Sequence, residues 1–252
     1  MKKVQNISEA INPKTIPPGC VVYTGGNAGT PQVLLKELIH NTQIKDIELL
    51  SLLLLGDIQD LFSPETCERI LHRVIFSGPY SRKALNDGHA TYQLIHLSDI
   101  PNQLRNYLMP DVVLMCVSGP DNGGNYSYGT TVEGLQAAVK TAKAKGGLVI
   151  AERNAKMPFI LGTTIHESEI DFLIDSDYDL PVSPASPPDD ISMKIGKLVA
   201  ELFIEDGTTL QYGIGEVPEA VTDAIIAKGV KDIGIYTELF ADAMRKLIVE
   251  GI

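Results

Sequence analysis

Two segments of this 252-residue chain carry groups that could do chemistry together. Gln211-Tyr-Gly-Ile-Gly-Glu-Val-Pro218 puts Gln211, Gly213 and Gly215 at a turn between an expected strand, Thr209–Tyr212, and an expected helix, Val217–Lys228. A second apolar strand, expected at Asp232–Tyr236, runs into Thr237-Glu238. Strand ends of a parallel sheet share one rim, where α/β proteins place their sites. The glycine turn and the carboxylate are therefore expected to meet. Glycines let backbone come close to a ligand and aim N–H groups at negative charge, such as an oxyanion developing on an acyl group. A carboxylate is a poor nucleophile in water, but in a desolvated cleft it can attack an acyl thioester and form a mixed anhydride. With Thr237 as N-cap of a helix at Leu239–Glu250, Glu238 would sit in the first turn, where the helix dipole favours the ionised form. Plainer alternatives stay open: an acid decorating a helix terminus, and a βα turn with no ligand. A lone G-x-G without the third glycine is not a dinucleotide fingerprint.

Two other loops could line a cleft. Gly25-Gly-Asn-Ala-Gly29, with Gly25 and Gly26 leading, follows the apolar Val21–Tyr23 and could cradle a phosphate or carboxylate. It lacks the Gly-Lys-Ser/Thr ending of a P-loop, which argues against nucleotide hydrolysis. Ser118–Gly129 holds Pro120, Asp121 and Gly124 directly after a buried strand, as a cleft wall or a plain connection. The five histidines form no metal spacing, and His166-Glu-Ser-Glu169 reads as a solvated polar loop. No G-x-S-x-G elbow is present, which disfavours a serine hydrolase.

These loops need a scaffold, and the pattern supplies one. Leu49–Leu55, Val112–Val117 and Leu148–Ala151 are nearly continuous apolar runs, as parallel strands covered on both faces require. Between them lie helical patterns at Gln32–His40, with Thr30 as N-cap and Pro31 first, and at Val132–Lys145, stopped by Gly146-Gly147. The alternation predicts an α/β fold with an open, mostly parallel sheet flanked by helices. Four prolines in residues 181–190 mark a break. The expected organisation is an N-terminal α/β domain at 1–182, a proline-rich linker at 183–190, and the start of a second α/β domain at 191–252, opening with a helix Ile191–Ile204 capped by Asp189 or Asp190. Two strands make an incomplete second sheet.

Composition narrows the partners. With 21 Lys and Arg against 32 Asp and Glu, the net charge of −11 argues against nucleic acid. Cys20, Cys67 and Cys116 form no C-x-x-C pair and read as thiols of a reducing compartment. MKKVQNISEAINP has no apolar stretch behind its lysines, so neither a signal peptide nor a membrane span is expected, and the default location is cytoplasmic.

Taken jointly, several stretches resemble the acetyl-CoA hydrolase/transferase family of class I CoA-transferases. They are Ser81–Tyr92 with Leu97–Pro101, Val117–Val132, Val149–Asp171, Gln211–Val221 and Gly234–Asp242, in matching order and spacing over about residues 74–250. The resemblance implies that fold, a glutamate nucleophile at Glu238 in the Thr-Glu-Leu-Phe-Ala-Asp stretch, and a glutamyl-CoA thioester intermediate. It also implies coenzyme A as a substrate with no tightly bound cofactor or metal. Gln211, Gly213, Gly215, Gly25, Gly26, Pro120, Asp121 and Gly124 would line the acyl-CoA and carboxylate site. The chain departs from the family pattern at Gly123, where a histidine is usual, and at Phe159 and Ile160, which replace Arg-Thr. Family members are also much longer. The competing readings are an acyl-CoA hydrolase, in which water resolves the intermediate, and a non-catalytic fragment or subunit. The expected assembly is a homo-oligomer or a pairing with a missing C-terminal half.

Overall fold

A strand without polar residues must be covered on both faces, and Val112–Val117 shows the consequence: all six residues are buried. In the computed structural model, which describes residues 1–183 and 186–252, the strands in chain order are β1 (Lys2–Lys3), β2 (Val21–Thr24), β3 (Ile47–Ser51), β4 (Ile70–Val74), β5 (Ala90–Tyr92), β6 (Val112–Val117), β7 (Asn125–Ser127), β8 (Leu148–Asn154), β9 (Thr164–His166) and β10 (Phe172–Ser176). Eight of them make one sheet in the order β1-β10-β8-β6-β2-β3-β4-β5. Every neighbouring pair in it is parallel. Strand alternation sends Val112 and Leu114 into one core with Val22, Leu49 and Ile150. Val113, Met115 and Val117 enter the other with Tyr23, Leu50 and Val149. Helices α1 (Gln32–His40), α2 (Pro64–Cys67), α3 (Pro79–Asn86), α4 (Ile100–Gln103) and α5 (Leu135–Ala144) connect the strands. The open parallel α/β sheet expected from the sequence is present.

Two helix starts beside this sheet differ from expectation, and a distant carboxylate explains one of them. Thr30 does not cap α1; Pro31 holds the cap position and no cap-position side chain bonds the helix. Thr30 Oγ1 donates to the Asn27 carbonyl at 2.7 Å and accepts from the Leu55 N–H at 3.1 Å. The first turn of α1 is served by Glu152, whose Oε2 accepts from the Val33 and Leu34 N–H groups at 2.9 and 3.0 Å. Helix α5 starts at Leu135 rather than Val132, because Glu133 stands at φ 43°, outside helical space. Strand β3 ends at Ser51 rather than Leu55.

The chain divides into the units Met1–Val182 and Ser183–Ile252. Of the proline-rich stretch, Pro184 and Ala185 lie outside the described residues. In the second unit α6 (Asp190–Phe203) is capped by Asp189, whose side chain accepts from the Ser192 N–H at 2.7 Å. Strands β11 (Thr209–Leu210) and β12 (Gly234–Ile235) pair in parallel, each shorter than expected, and α7 (Glu216–Lys228) runs between them. Helix α8 (Asp242–Glu250) follows. Its small core gathers Ala200, Ile204, Tyr212, Ile225, Met244 and Leu247. Among the described residues no helix is long and apolar enough to cross a membrane.

Candidate functional site

The parallel register of the second unit places the glycine turn beside the carboxylate. Leu210 pairs with Ile235. Two residues further, the Thr237 Oγ1 donates to the Tyr212 carbonyl at 2.9 Å. One step beyond come Gly213 and Glu238, at adjacent strand ends on one rim. Thr237 therefore anchors the chain just before Glu238, but not as an N-cap: α8 begins only at Asp242, with Ala241 at its cap position. Glu238 lies exposed in a bend ahead of that helix, outside its first turn, so the expected dipole effect on it does not apply. The Gln211 amide folds back onto the same Tyr212 carbonyl at 3.1 Å.

Gly215 is the residue before α7 and sits at φ 119°, a region open to glycine alone at low cost. No side chain caps α7, and the first-turn N–H groups of Glu216 and Val217 have no intrahelical partner. Around Gly213 and Gly215 a methyl group would meet nothing within 4 Å. The turn borders a cavity of about 810 Å³, whose other walls include Phe240, Ala241, Asp242 and Arg245. The starts of α7 and α8, both without side-chain caps, thus open onto one space lined by the Arg245 guanidinium and by the acids Glu216, Glu219 and Asp242. Glu238 and Gln211 are not among its walls. Sequence reasoning missed Phe240 and Arg245, since nothing in their local pattern separates them from an ordinary helix start.

In the first unit Gly25 and Gly26 follow β2, and Pro120, Asp121 and Gly124 follow β6. Those two strands are neighbours, so both loops reach the same rim of the sheet. The glycine loop, however, is not an open anion cradle. The Gly25 N–H goes to the Leu114 carbonyl, Asn27 to Leu53, Gly29 to Gly26 and Thr30 to Asn27. The Asp121 carboxylate is likewise used in its own turn, accepting from the Gly123 and Asn125 N–H groups at 2.8 Å each. The Asn125 backbone N–H, with help from its side chain, lowers the Asp121 pKa. Strands β7 and β9 pair antiparallel beside this loop, a small sheet the Gly- and Asn-rich sequence had read as loop.

Glu152 is fully buried within β8, two residues before its end. Besides the two α1 amides it receives the Tyr178 hydroxyl. Burial pushes its carboxyl up to about 7, against these donors. An acid ending an apolar strand was the available signal, and the sequence reading stopped that strand at Ala151. Cys20 and Cys116 are buried and Cys67 half-buried, all as free thiols; burial pushes the Cys20 thiol up to about 12. Among the described residues no three His, Cys, Asp or Glu side chains gather as a metal site.

An open parallel sheet with glycine loops on its rim fits the family the sequence resembles, and residues 1–184 match the model of the acetyl-CoA hydrolase/transferase N-terminal domain. The chain belongs to the acetyl-CoA hydrolase/transferase family. It is 34% identical over 233 residues to the 4-hydroxybutyrate coenzyme A transferase of Clostridium kluyveri, covering 89% of this chain and 51% of that protein. Among solved structures, it resembles 4-hydroxybutyrate CoA-transferase from Porphyromonas gingivalis, with 30% identity and a TM-score of 0.78 over 98% of this chain and 56% of that one. RipA from Yersinia pestis, 25% identical, superposes with a TM-score of 0.88 over 100% of this chain and 59% of its own. The chain thus spans about half the length of the curated relatives it matches.

Proposed function

We propose that this chain carries the nucleophile of a CoA-transferase that moves coenzyme A between a short-chain acyl-CoA and a carboxylic acid. Glu238 attacks the thioester carbonyl, and the C–S bond breaks to give an acyl-glutamyl anhydride and CoA thiolate. The thiolate then attacks the glutamyl carbonyl, releasing the first carboxylate and leaving glutamyl-CoA. An incoming carboxylate reverses both steps, in ping-pong order. The observation that carries the reading is the parallel register of β11 and β12, continued by the Thr237–Tyr212 hydrogen bond, which brings the chain to Gly213 and Glu238 at adjacent strand ends. Gly213 and Gly215 border the acyl group, and the loops at Gly25, Gly26, Pro120, Asp121 and Gly124 are assigned to the CoA and acid substrates. Release of CoA from acetyl-CoA, followed with and without an added carboxylic acid, tests transfer against hydrolysis. The proposal expects release to depend on the acid; equal rates would make the protein a hydrolase instead.

A second reading rests on the second unit's surface. Leu198, Leu202, Phe203, Tyr236, Phe240 and Val249 are exposed there, more apolar surface than a small unit leaves open without a partner. We infer that this unit acts together with further protein, as a C-terminal half of the length found in the relatives or as a second copy. Sizing in solution tests it: a soluble monomer with a sharp unfolding transition would count against the need for a partner.

A further inference from the structure

We propose that Glu133 is the positioning residue of the Gly25–Thr30 loop, its carboxyl holding the Asn27 side chain from the turn that precedes α5. The inference rests on the reading above that this loop faces substrate, but its geometry stands by itself. The Asn27 Nδ2 donates to Glu133 Oε1 at 2.8 Å. Any side chain at residue 26 would collide with this arrangement, since a Cβ there falls 2.5 Å from the Leu53 carbonyl oxygen and 3.0 Å from Glu133 Oε1. Both partners hold left-handed backbone, Asn27 at φ 49° and Glu133 at φ 43°. Such conformations persist where surrounding contacts over-determine them. The next residue, Gly134, donates its N–H to the Tyr23 hydroxyl at 3.2 Å, so β2 and the α5 turn are tied at two points.

Glu133 Oε2 is shielded from solvent and has no partner among the described residues, although the residue as a whole is only half-buried. An ionised oxygen in that place would lack any donor. Oε2 is unpaired in either protonation state, and the neutral carboxyl is the less costly one to shield from water. Burial pushes the group up to about 7, while Asn27 and Gly26 pull the other way. The Tyr23 phenol nearby is held far above its ordinary range, by burial first and then by Glu133, and stays neutral. The sign follows from linkage. A carboxyl that titrates near 7 in the closed loop and near its ordinary 4.5 once solvated favours the closed loop at low pH. That advantage fades as pH rises from 4.5 to about 7 and is gone above it.

Hydrogen exchange of the peptide spanning residues 25–30, corrected for intrinsic rates and followed from pH 5 to 8, tests the proposal on the wild-type chain, Glu133→Gln and Glu133→Ala. Wild-type protection should fall with pH through this window. Glu133→Gln, which keeps the accepting oxygen and cannot ionise, should stay protected and lose the pH dependence. Glu133→Ala should lose protection on the order of tenfold in this loop, the scale of one or two hydrogen bonds. In acyl-CoA labelling it should raise the half-saturating concentration with the plateau rate kept, and Glu133→Gln should restore it. The proposal is overturned if Glu133→Gln follows the wild-type pH curve. It is equally overturned if Glu133→Ala leaves the loop protected or loosens the first unit uniformly. If the wild type forms no adduct, the functional reading fails, and the exchange result alone decides the role of Glu133.

Discussion

Two glycine turns follow parallel strands in this molecule, and they are used in opposite ways. At Gly25–Thr30 the backbone is closed against its own unit: its N–H groups are taken by Leu114, Leu53 and the loop itself, and Gly26 has no room for a methyl group. At Gly213–Pro218 the backbone is open: a methyl group on Gly213 or Gly215 would touch nothing, and the α7 start is uncapped beside a cavity. Sequence spacing draws the two alike. The difference lies in what comes to meet each turn, which is Glu133 and the β3 extension in one case and open space in the other. A glycine turn filled by its own protein presents a fixed surface, whereas an unfilled one keeps its backbone open to a ligand.

The comparison can be broken most severely at the open site. Glu238→Gln should abolish covalent labelling by acyl-CoA while leaving the circular dichroism spectrum and unfolding midpoint unchanged, because Glu238 is exposed and the change is nearly isosteric. Survival of the label would remove Glu238 from the chemistry.

Next in size is a pH effect confined to the closed unit. Glu133 and Glu152, both in the first unit, have carboxyls raised to about 7. In the unfolded chain they titrate near 4.5, so between 4.5 and 7 these two carboxyls bind more protons in the folded state and stability falls as pH rises. The buried His72, lowered to about 3 by burial, offsets this effect in part below its ordinary 6.5. The slope is at most about 1.4 kcal/mol per pH unit for each group, and the loss is complete above about 7. Urea midpoints of the first unit at pH 5, 6, 7 and 8 should decline and then level; a rise across that window would contradict the burial argument.

A matched pair of methyl insertions sharpens the contrast. Gly26→Ala should cost the first unit about 1–3 kcal/mol, the usual range for overpacking. Gly213→Ala should change stability by less than about 0.5 kcal/mol yet slow labelling at Glu238. Equal stability losses, measured by denaturant titration, would erase the distinction between the turns. A smaller effect than at Gly26 belongs to Thr237→Val, which removes the hydrogen bond to Tyr212. It should cost about 0.5–1.5 kcal/mol and reduce labelling through a looser Glu238, read from labelling rates at saturating acyl-CoA.

Much of the scaffold was legible because it follows local periodicity. Val112–Val117 is a strand over the expected residues, and the α6 cap at Asp189 follows from an acid three residues before Ser192. The errors share one cause, a partner far away in sequence. Thr30 looked like a cap, but Glu152 from β8 serves the α1 amides. Thr237 looked like a cap, but the Tyr212 carbonyl takes its hydroxyl, and the helix starts later. Neither competitor lies within the window over which capping rules are read. Glu238 and its glycine neighbours were visible as types and spacing. The cavity walls at Phe240 and Arg245, and the clamp at Glu133, arise only once the chain has folded.

The most direct test of the central assignment is the intact mass of the protein after incubation with acetyl-CoA, with peptide mapping of any adduct. A CoA-sized adduct on the peptide holding Glu238, absent from Glu238→Gln, is the predicted result. An adduct that maps to another residue would contradict the account.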